Sequence, residues 1–150
     1  MKKRKAGTRP SRKRNLGKFK SAIEKYCNDQ LKAAGFDFLY EEKEFELMPS
    51  FRYPNRYLKM TAKKKDLTNR SNSVQLPIRY TPDFVAKDGS WIIETKGYLP
   101  SHHDFPMRWK LFLKHLVDND ISCNVYIAKN KHQVDQVIED IRKYGKGGAE

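Results

Sequence analysis

The apolar residues of this 150-residue chain change their period along its length, and the changes mark its elements. Phe19, Ile23, Tyr26, Cys27, Gln30, Leu31 and Ala34 fall close to one helical stripe. Ser21-Ala22-Ile23-Glu24 opens it in capping-box spacing and Gly35 closes it, which predicts a first helix over about 21–34. Phe36, Phe38 and Tyr40 then alternate with other residues. Glu42, Glu44 and Glu46 continue that parity while Phe45 and Leu47 take the opposite one, the pattern of an extended strand with a polar end. Residues 48–77 lose the rhythm, with Pro49, Pro54, Lys63-Lys64-Lys65 and an Asn/Ser-rich piece at 69–73, and read as a long inserted loop, functional or disordered. Arg79–Ala86 and Ser90–Gly97 are strand-like runs around Lys87-Asp88-Gly89, which predicts a β-hairpin. Met107–Val117 carries Trp109, Phe112, Leu113, Leu116 and Val117 at helical spacing. Ile121–Ala128 reads as a buried strand, and 131–144 as a last helix with Val134, Val137, Ile138, Ile141 and Tyr144 on one face before the Gly-rich 145–148. The predicted order is α β β β α β α, without internal repeats.

Charge divides the chain differently. Its net +13 is concentrated at the start: residues 1–20 hold ten Lys/Arg and no acid, so the other 130 carry only +3. The expected organisation is a basic arm over 1–18 with almost nothing to bury, one domain over about 19–145, and a short tail at 146–150. Hydrophobic residues at 38% suffice for a modest core, and no apolar run approaches the roughly 18 residues of a membrane span. The arm also lacks the apolar segment of a secretory signal. Cys27 and Cys123 stand alone without CxxC or HxxxH context, which argues against a disulfide framework or zinc site and for reduced thiols in a cytoplasmic compartment. A cationic arm without a hydrophobic anchor suits nucleic acid better than a membrane surface, through Lys2, Lys3, Arg4, Lys5, Arg9, Arg12, Lys13, Arg14, Lys18 and Lys20.

Within the hairpin, strand pairing brings Asp83 near Glu94, and Glu94 and Lys96, two apart on one strand, project from the same face. Two close carboxylates repel one another and become tolerable when they hold a divalent cation. Mg²⁺ suits one or two carboxylates completed by water and phosphate oxygens. With Lys96 placed to orient or deprotonate a water, the reaction class is metal-assisted phosphodiester hydrolysis. The plain alternative is a surface ion pair of little consequence. His102-His103-Asp104, between two prolines, reads as a loop without a catalytic role, and Trp109 and the aliphatics of 111–117 as core. There is no Gly-rich phosphate loop, GxSxG or Cys/His nucleophile pair.

Pro82-Asp83, ten intervening residues and Glu94-Thr95-Lys96, with Glu24 on a preceding helix and a helix and strand following, resemble the PD-(D/E)xK nuclease core. Phe19–Glu24, Tyr40-Glu41-Glu42, Tyr80–Phe84 and Glu94–Gly97, in this order, resemble the endonuclease I family of T-odd phages, the Holliday-junction resolving nucleases; the resemblance spans about 19–128. It implies a restriction-endonuclease-like αβββαβ core of mixed α/β class, its mixed central sheet flanked by helices. It also implies metal ligation by Asp83, Glu94 and the Thr95 backbone carbonyl, a water-positioning Lys96, and Glu24 as a further acid. Mg²⁺ is the implied cofactor, with Mn²⁺ able to replace it, branched double-stranded DNA the substrate, and an intertwined homodimer the assembly. The chain departs from the family twice. Leu39 stands where the family has an acid, and Glu41 shares its strand parity. The 48–77 segment is also longer than the family's connection, which bridges the subunits; its Arg52, Arg56, Lys59, Lys63, Lys64, Lys65 and Arg70 among Phe51, Tyr53 and Tyr57 suit DNA contact. The rivals are a nicking or restriction-like nuclease acting on linear DNA and a non-catalytic DNA-binding protein.

Overall fold

A computed structural model of the chain describes residues 15–96 and 104–145. The first fourteen residues of the arm, His102 and His103, and the 146–150 tail lie outside them. The first helix, α1 (Ala22–Ala33), begins as its cap predicts: Ser21 is extended and its hydroxyl accepts the Glu24 N–H at 3.2 Å. Gly35 takes φ +78° and the Phe36 N–H donates to the Leu31 carbonyl, which turns the chain off the helix. Glu24, Cys27, Asn28 and Leu31 form the buried face at i, i+3, i+4, i+7 spacing.

The predicted single strand over 36–47 is two strands in different sheets. β1 (Phe38–Tyr40) ends where Glu41 adopts φ +49°, and β2 (Phe45–Met48) starts afresh beyond it. A non-glycine residue in the left-handed region turns the chain out of the strand and breaks the pairing. The 48–77 segment is likewise not a loop. β3 (Phe51–Arg52) pairs with β6 (Val74–Gln75), β4 (Leu58–Thr61) with β5 (Lys64–Asn69), and β2 with β7 (Ile78–Tyr80), all antiparallel. The result is a two-stranded ribbon from Phe45 to Tyr80 with Lys63 in its end turn and register shifts at 46–48 and 59–61. Most of its residues beyond Met48 are exposed, so no core face imposes an apolar/polar alternation, and Pro49 and Pro54 sit at its breaks. Phe45 anchors its base, its ring 5.1 Å from that of Phe112.

With the ribbon set aside, the predicted order holds. β8 (Phe84–Ala86) and β9 (Trp91–Thr95) pair as the expected hairpin, with Phe84 opposite Ile93 and Gly89 at φ +77° in the turn. The main sheet runs β1-β8-β9-β10, antiparallel except for β10 (Asn124–Ala128), which lies parallel to β9 after the crossover through α2 (Phe105–Asp118). β8 and β9 are buried throughout, as befits inner strands covered on both faces. Phe84, Ala86, Trp91 and Ile93 face α1 and α3 (Lys131–Tyr144); Val85 and Ile92 face the cluster of Phe45, Tyr80, Phe105, Phe112 and Leu116. The strand expected to be buried, β10, is instead an edge strand, and its Ile127 is 43% exposed while Ala128 is fully buried. No described helix is long and apolar enough to cross a membrane.

Phe84 is fully buried and its ring meets those of Phe38 and Tyr40. Phe84→Ala is expected to lower unfolding stability in urea by about 3–5 kcal/mol. Val117→Ala on α2, at a site 70% exposed, is expected to stay within about 0.5 kcal/mol of the parent.

Candidate active site

The β8–β9 register decides the site. Phe84 stands opposite Ile93, so extending the ladder by one residue puts Asp83 beside Glu94, both with the parity of Val85 and Ile92. Pro82, which has no N–H to give a ladder, is buried just before Asp83. Asp83 and Glu94 are 7% and 4% exposed, which places two carboxylates below the surface at the end of the sheet. Protein donors hold each in place. The Thr95 N–H and hydroxyl both donate to Asp83 Oδ2, at 2.8 and 2.7 Å. Glu94 Oε2 accepts from the Tyr80 hydroxyl at 2.6 Å and from the Asp83 N–H at 3.3 Å, while Lys96 Nζ stands 2.8 Å from Oε1. The Lys96 ammonium also lies 4.2 Å above the Phe105 ring, a cation–π contact.

The second wall comes from α1. The Glu24 carboxylate does not reach back to the Ser21 N–H in the reciprocal half of a capping box; its Oε2 accepts from the Lys20 N–H at 3.0 Å and the Tyr40 hydroxyl at 2.8 Å. Glu24 is thereby a buried acid at the cleft as well as the residue whose N–H is capped. Glu41, carried toward the cleft by its left-handed turn, pairs with Lys20 Nζ at 2.7 Å and gives its N–H to the Asp83 carbonyl. Leu39, in contrast, lies on β1 opposite Val85. These groups, with Arg79 and Arg108 at the rim, line a cleft of about 740 Å³.

Sequence reasoning placed Glu24, Asp83, Glu94, Thr95 and Lys96, and the structure brings all five to one cleft. It placed Lys18 and Lys20 in the arm; Lys20 belongs to the cleft, and Lys18 covers the Tyr40 ring from outside it at 5.3 Å. Lys63, Lys64 and Lys65 lie at the far turn of the ribbon, at the opposite end from its base beside the cleft. Tyr80, Tyr40, Phe105 and Arg108 were missed. Two tyrosines among apolar residues look like ordinary core, and only the fold reveals that each hydroxyl ends on a site carboxylate.

The electrostatics follow from burial. Removal from water, then the Glu94 charge beside it, lifts the Asp83 carboxyl to about 7, although the Thr95 hydrogen bonds pull the other way. Burial and Glu94 push the Tyr80 phenol far above its ordinary range, so it remains a donor, and burial with Glu24 does the same to Tyr40. Burial pushes the Cys27 thiol up to about 12, which leaves it unsuited to nucleophilic work. Among the described residues no group of three or more His, Cys, Asp or Glu is placed to hold a metal ion. The donors that are present, Asp83 and Glu94, are hard oxygens, and Asp83 Oδ1 has no hydrogen-bond partner among the described residues. Two carboxylates in an open cleft fit a Mg²⁺-type ion that keeps water and substrate oxygens, rather than an all-protein cage.

Asp83 sets a pH dependence. Its carboxyl titrates near 7 in the folded chain and near 3.8 as a free side chain, so between these values the folded state holds the extra proton. Its contribution to stability therefore falls as pH rises from about 4 to about 7 and levels off above that range. In EDTA, Asp83→Asn is expected to flatten that part of the slope and to melt a few degrees above the parent at pH 8. Parallel melting curves at pH 5, 7 and 8 for the two proteins would refute the like-charge pair.

Comparison of the chain with protein-family models, with curated proteins and with solved structures returned no match.

Proposed function

We propose that the protein is a metal-dependent endodeoxyribonuclease of restriction-endonuclease-like fold that hydrolyses phosphodiesters in branched DNA, in the manner of the phage junction-resolving enzymes it resembles. The observation that carries this reading is the buried Asp83–Glu94 pair with Lys96 at its side, on the floor of an open cleft. A structural ion pair needs neither the second carboxylate nor an open cleft. Support also comes from the order of elements around the main sheet, α1, β1, β8, β9, α2, β10 and α3.

Asp83 and Glu94 would hold the cation, with the Thr95 carbonyl as a third oxygen, and Mn²⁺ would serve in place of Mg²⁺. Bound there, the ion supplies Lewis acidity toward the phosphoryl oxygens and a lowered pKa for its water. The remaining work belongs to the chain. Thr95 fixes the Asp83 carboxylate through two hydrogen bonds, and Tyr80 fixes that of Glu94. The Lys96 ammonium orients the attacking water and faces the charge that builds on phosphorus. Glu24, held by Tyr40, adds a further acid on the opposite wall. Arg79, Arg108 and Lys20 at the rim, with the basic arm and ribbon, make sequence-independent phosphate contacts, so selection rests on DNA shape. Two cuts across a four-way junction call for two copies of the site. The ribbon, with Met60 and Leu67 81% and 62% exposed on β4 and β5, offers the apolar surface for a homodimer.

One observation favours a second reading, a DNA-binding protein without catalysis: Asp83 and Glu94 already have protein donors. Incubation with a four-way junction and a matched linear duplex, with Mg²⁺ or EDTA, separates the possibilities. The junction alone is expected to be cut, and only with Mg²⁺. Asp83→Asn and Glu94→Gln are expected to abolish cutting with junction binding retained, and Lys96→Ala to slow it about 10²–10⁴-fold. Equal cutting of both DNAs removes the junction claim, fixed cut positions in the linear duplex point to a restriction-like enzyme, and no cutting with Mg²⁺ or Mn²⁺ removes the nuclease claim. Light scattering is expected to give the mass of two chains, with a mass of one chain ruling out the dimer.

A further inference from the structure

A second concave surface lies midway along the ribbon. Phe51, Tyr53, Arg56, Tyr57 and Gln75 line a cavity of about 330 Å³. β3 supplies Phe51, and its register places Gln75 directly across. The 53–57 segment is held by its own bonds: the Tyr53 N–H donates to the Ser73 carbonyl at 3.0 Å, the Tyr57 N–H to the Ser71 hydroxyl at 3.0 Å, and the Arg70 N–H to the Tyr57 carbonyl at 2.7 Å. These contacts set the two tyrosine rings edge to face, 6.1 Å apart at 79°. Backbone bonds and the Ser71 hydroxyl thus fix the segment that carries the two tyrosines.

Its chemistry narrows what it can take. Phe51 and Tyr53 remain 46% and 40% exposed, so much of this aromatic surface faces solvent. Arg56 and Gln75 bring a guanidinium and an amide to an otherwise aromatic wall. Between Pro49 and Pro77 the chain carries seven basic residues and one acid, which disfavours a cationic or neutral apolar partner and favours a polyanion. A ligand with flat apolar faces, hydrogen-bonding edges and an attached chain of phosphates meets all three conditions. We propose that this cup receives an unpaired nucleobase of branched or gapped DNA. Bases inside a duplex keep their faces stacked and cannot enter, whereas a base at a branch or gap is already partly unstacked. The cup thus makes the ribbon a reader of DNA structure, while its lysines hold phosphates of any sequence.

The inference rests on the DNA-binding part of the proposed function and not on the chemistry of the cleft, so it is tested without cleavage. The full chain in EDTA is titrated against a duplex with a short single-stranded gap carrying 2-aminopurine, and against the matched continuous duplex. The parent is expected to quench the 2-aminopurine and to bind the gapped DNA roughly 5–100-fold more tightly, the range expected for stacking one base. Tyr53→Ala and Tyr57→Ala are expected to lose the quenching and the preference while binding continuous duplex as before, and Tyr53→Phe to keep both. Lys63→Ala with Lys64→Ala is expected to weaken both DNAs alike. Unchanged quenching and preference in both alanine variants would overturn the proposal, as would a change in their oligomeric state by light scattering, which marks the cup as a contact between copies. No binding of either DNA would overturn it together with the DNA reading; a gap preference in a protein that never cuts supports the cup and removes only the nuclease.

Discussion

Two carboxylates that repel each other are held side by side below the surface, and most of the site is arranged to make this tolerable. The ladder between β8 and β9 brings Asp83 and Glu94 together, so their closeness is set by backbone pairing and not by side-chain choice. Around them stand the Thr95 donors, the Tyr80 hydroxyl and the Lys96 ammonium, each directed at a carboxylate oxygen. Leaving buried acceptors of this kind unpaired is costly, which explains the dense donor set. Donors lower the penalty without removing the like-charge repulsion, and Asp83 answers by keeping its proton up to about pH 7.

The same requirement reaches the elements that flank the sheet. Ser21 starts α1 at a point that aims Glu24 into the cleft, and Tyr40 at the end of β1 holds its carboxylate. The next residue, Glu41, turns into the left-handed region, so the chain that finishes the main sheet also delivers an acid to the wall and opens the path to the ribbon. Backbone strain at such a position is kept because neighbouring contacts over-determine it; here those are the Lys20 ion pair and the bond to the Asp83 carbonyl.

The ribbon obeys other rules. Among the described residues it packs against no other sheet, so its stability comes from backbone pairing, its turns and the anchoring of Phe45 and Tyr80 against α2 residues Phe112 and Trp109. Its charges also keep an exposed two-stranded structure from pairing indiscriminately at its edges. The excess of positive charge in the chain thus falls on the arm and on this ribbon, while the main domain retains the acids that its cleft needs.

Much of this was legible in the residues. Period 3.6 located the three helices within two residues or so, because each buries one apolar stripe. The Asp-Gly turn between two strand runs gave the hairpin, and with it the Asp83–Glu94–Lys96 grouping, since antiparallel pairing and side-chain parity are local geometry. What the sequence could not carry was whatever depends on distant partners. Phe36–Leu47 reads as one strand because a two-residue alternation continues through it even as the apolar side switches, and only the break at Glu41 assigns the halves to separate sheets. The 45–80 ribbon leaves no periodic trace because alternation records a buried face and most of the ribbon has none. Tyr40 and Tyr80 resemble core residues in any linear reading, since a hydroxyl's partner is set by packing across more than ten residues of chain. Local periodicity and turn chemistry thus specified the elements and the central carboxylates. Tertiary packing alone decided the second wall of the cleft, the donors that hold it, and the aromatic cup, because each forms between segments that meet only in the folded chain.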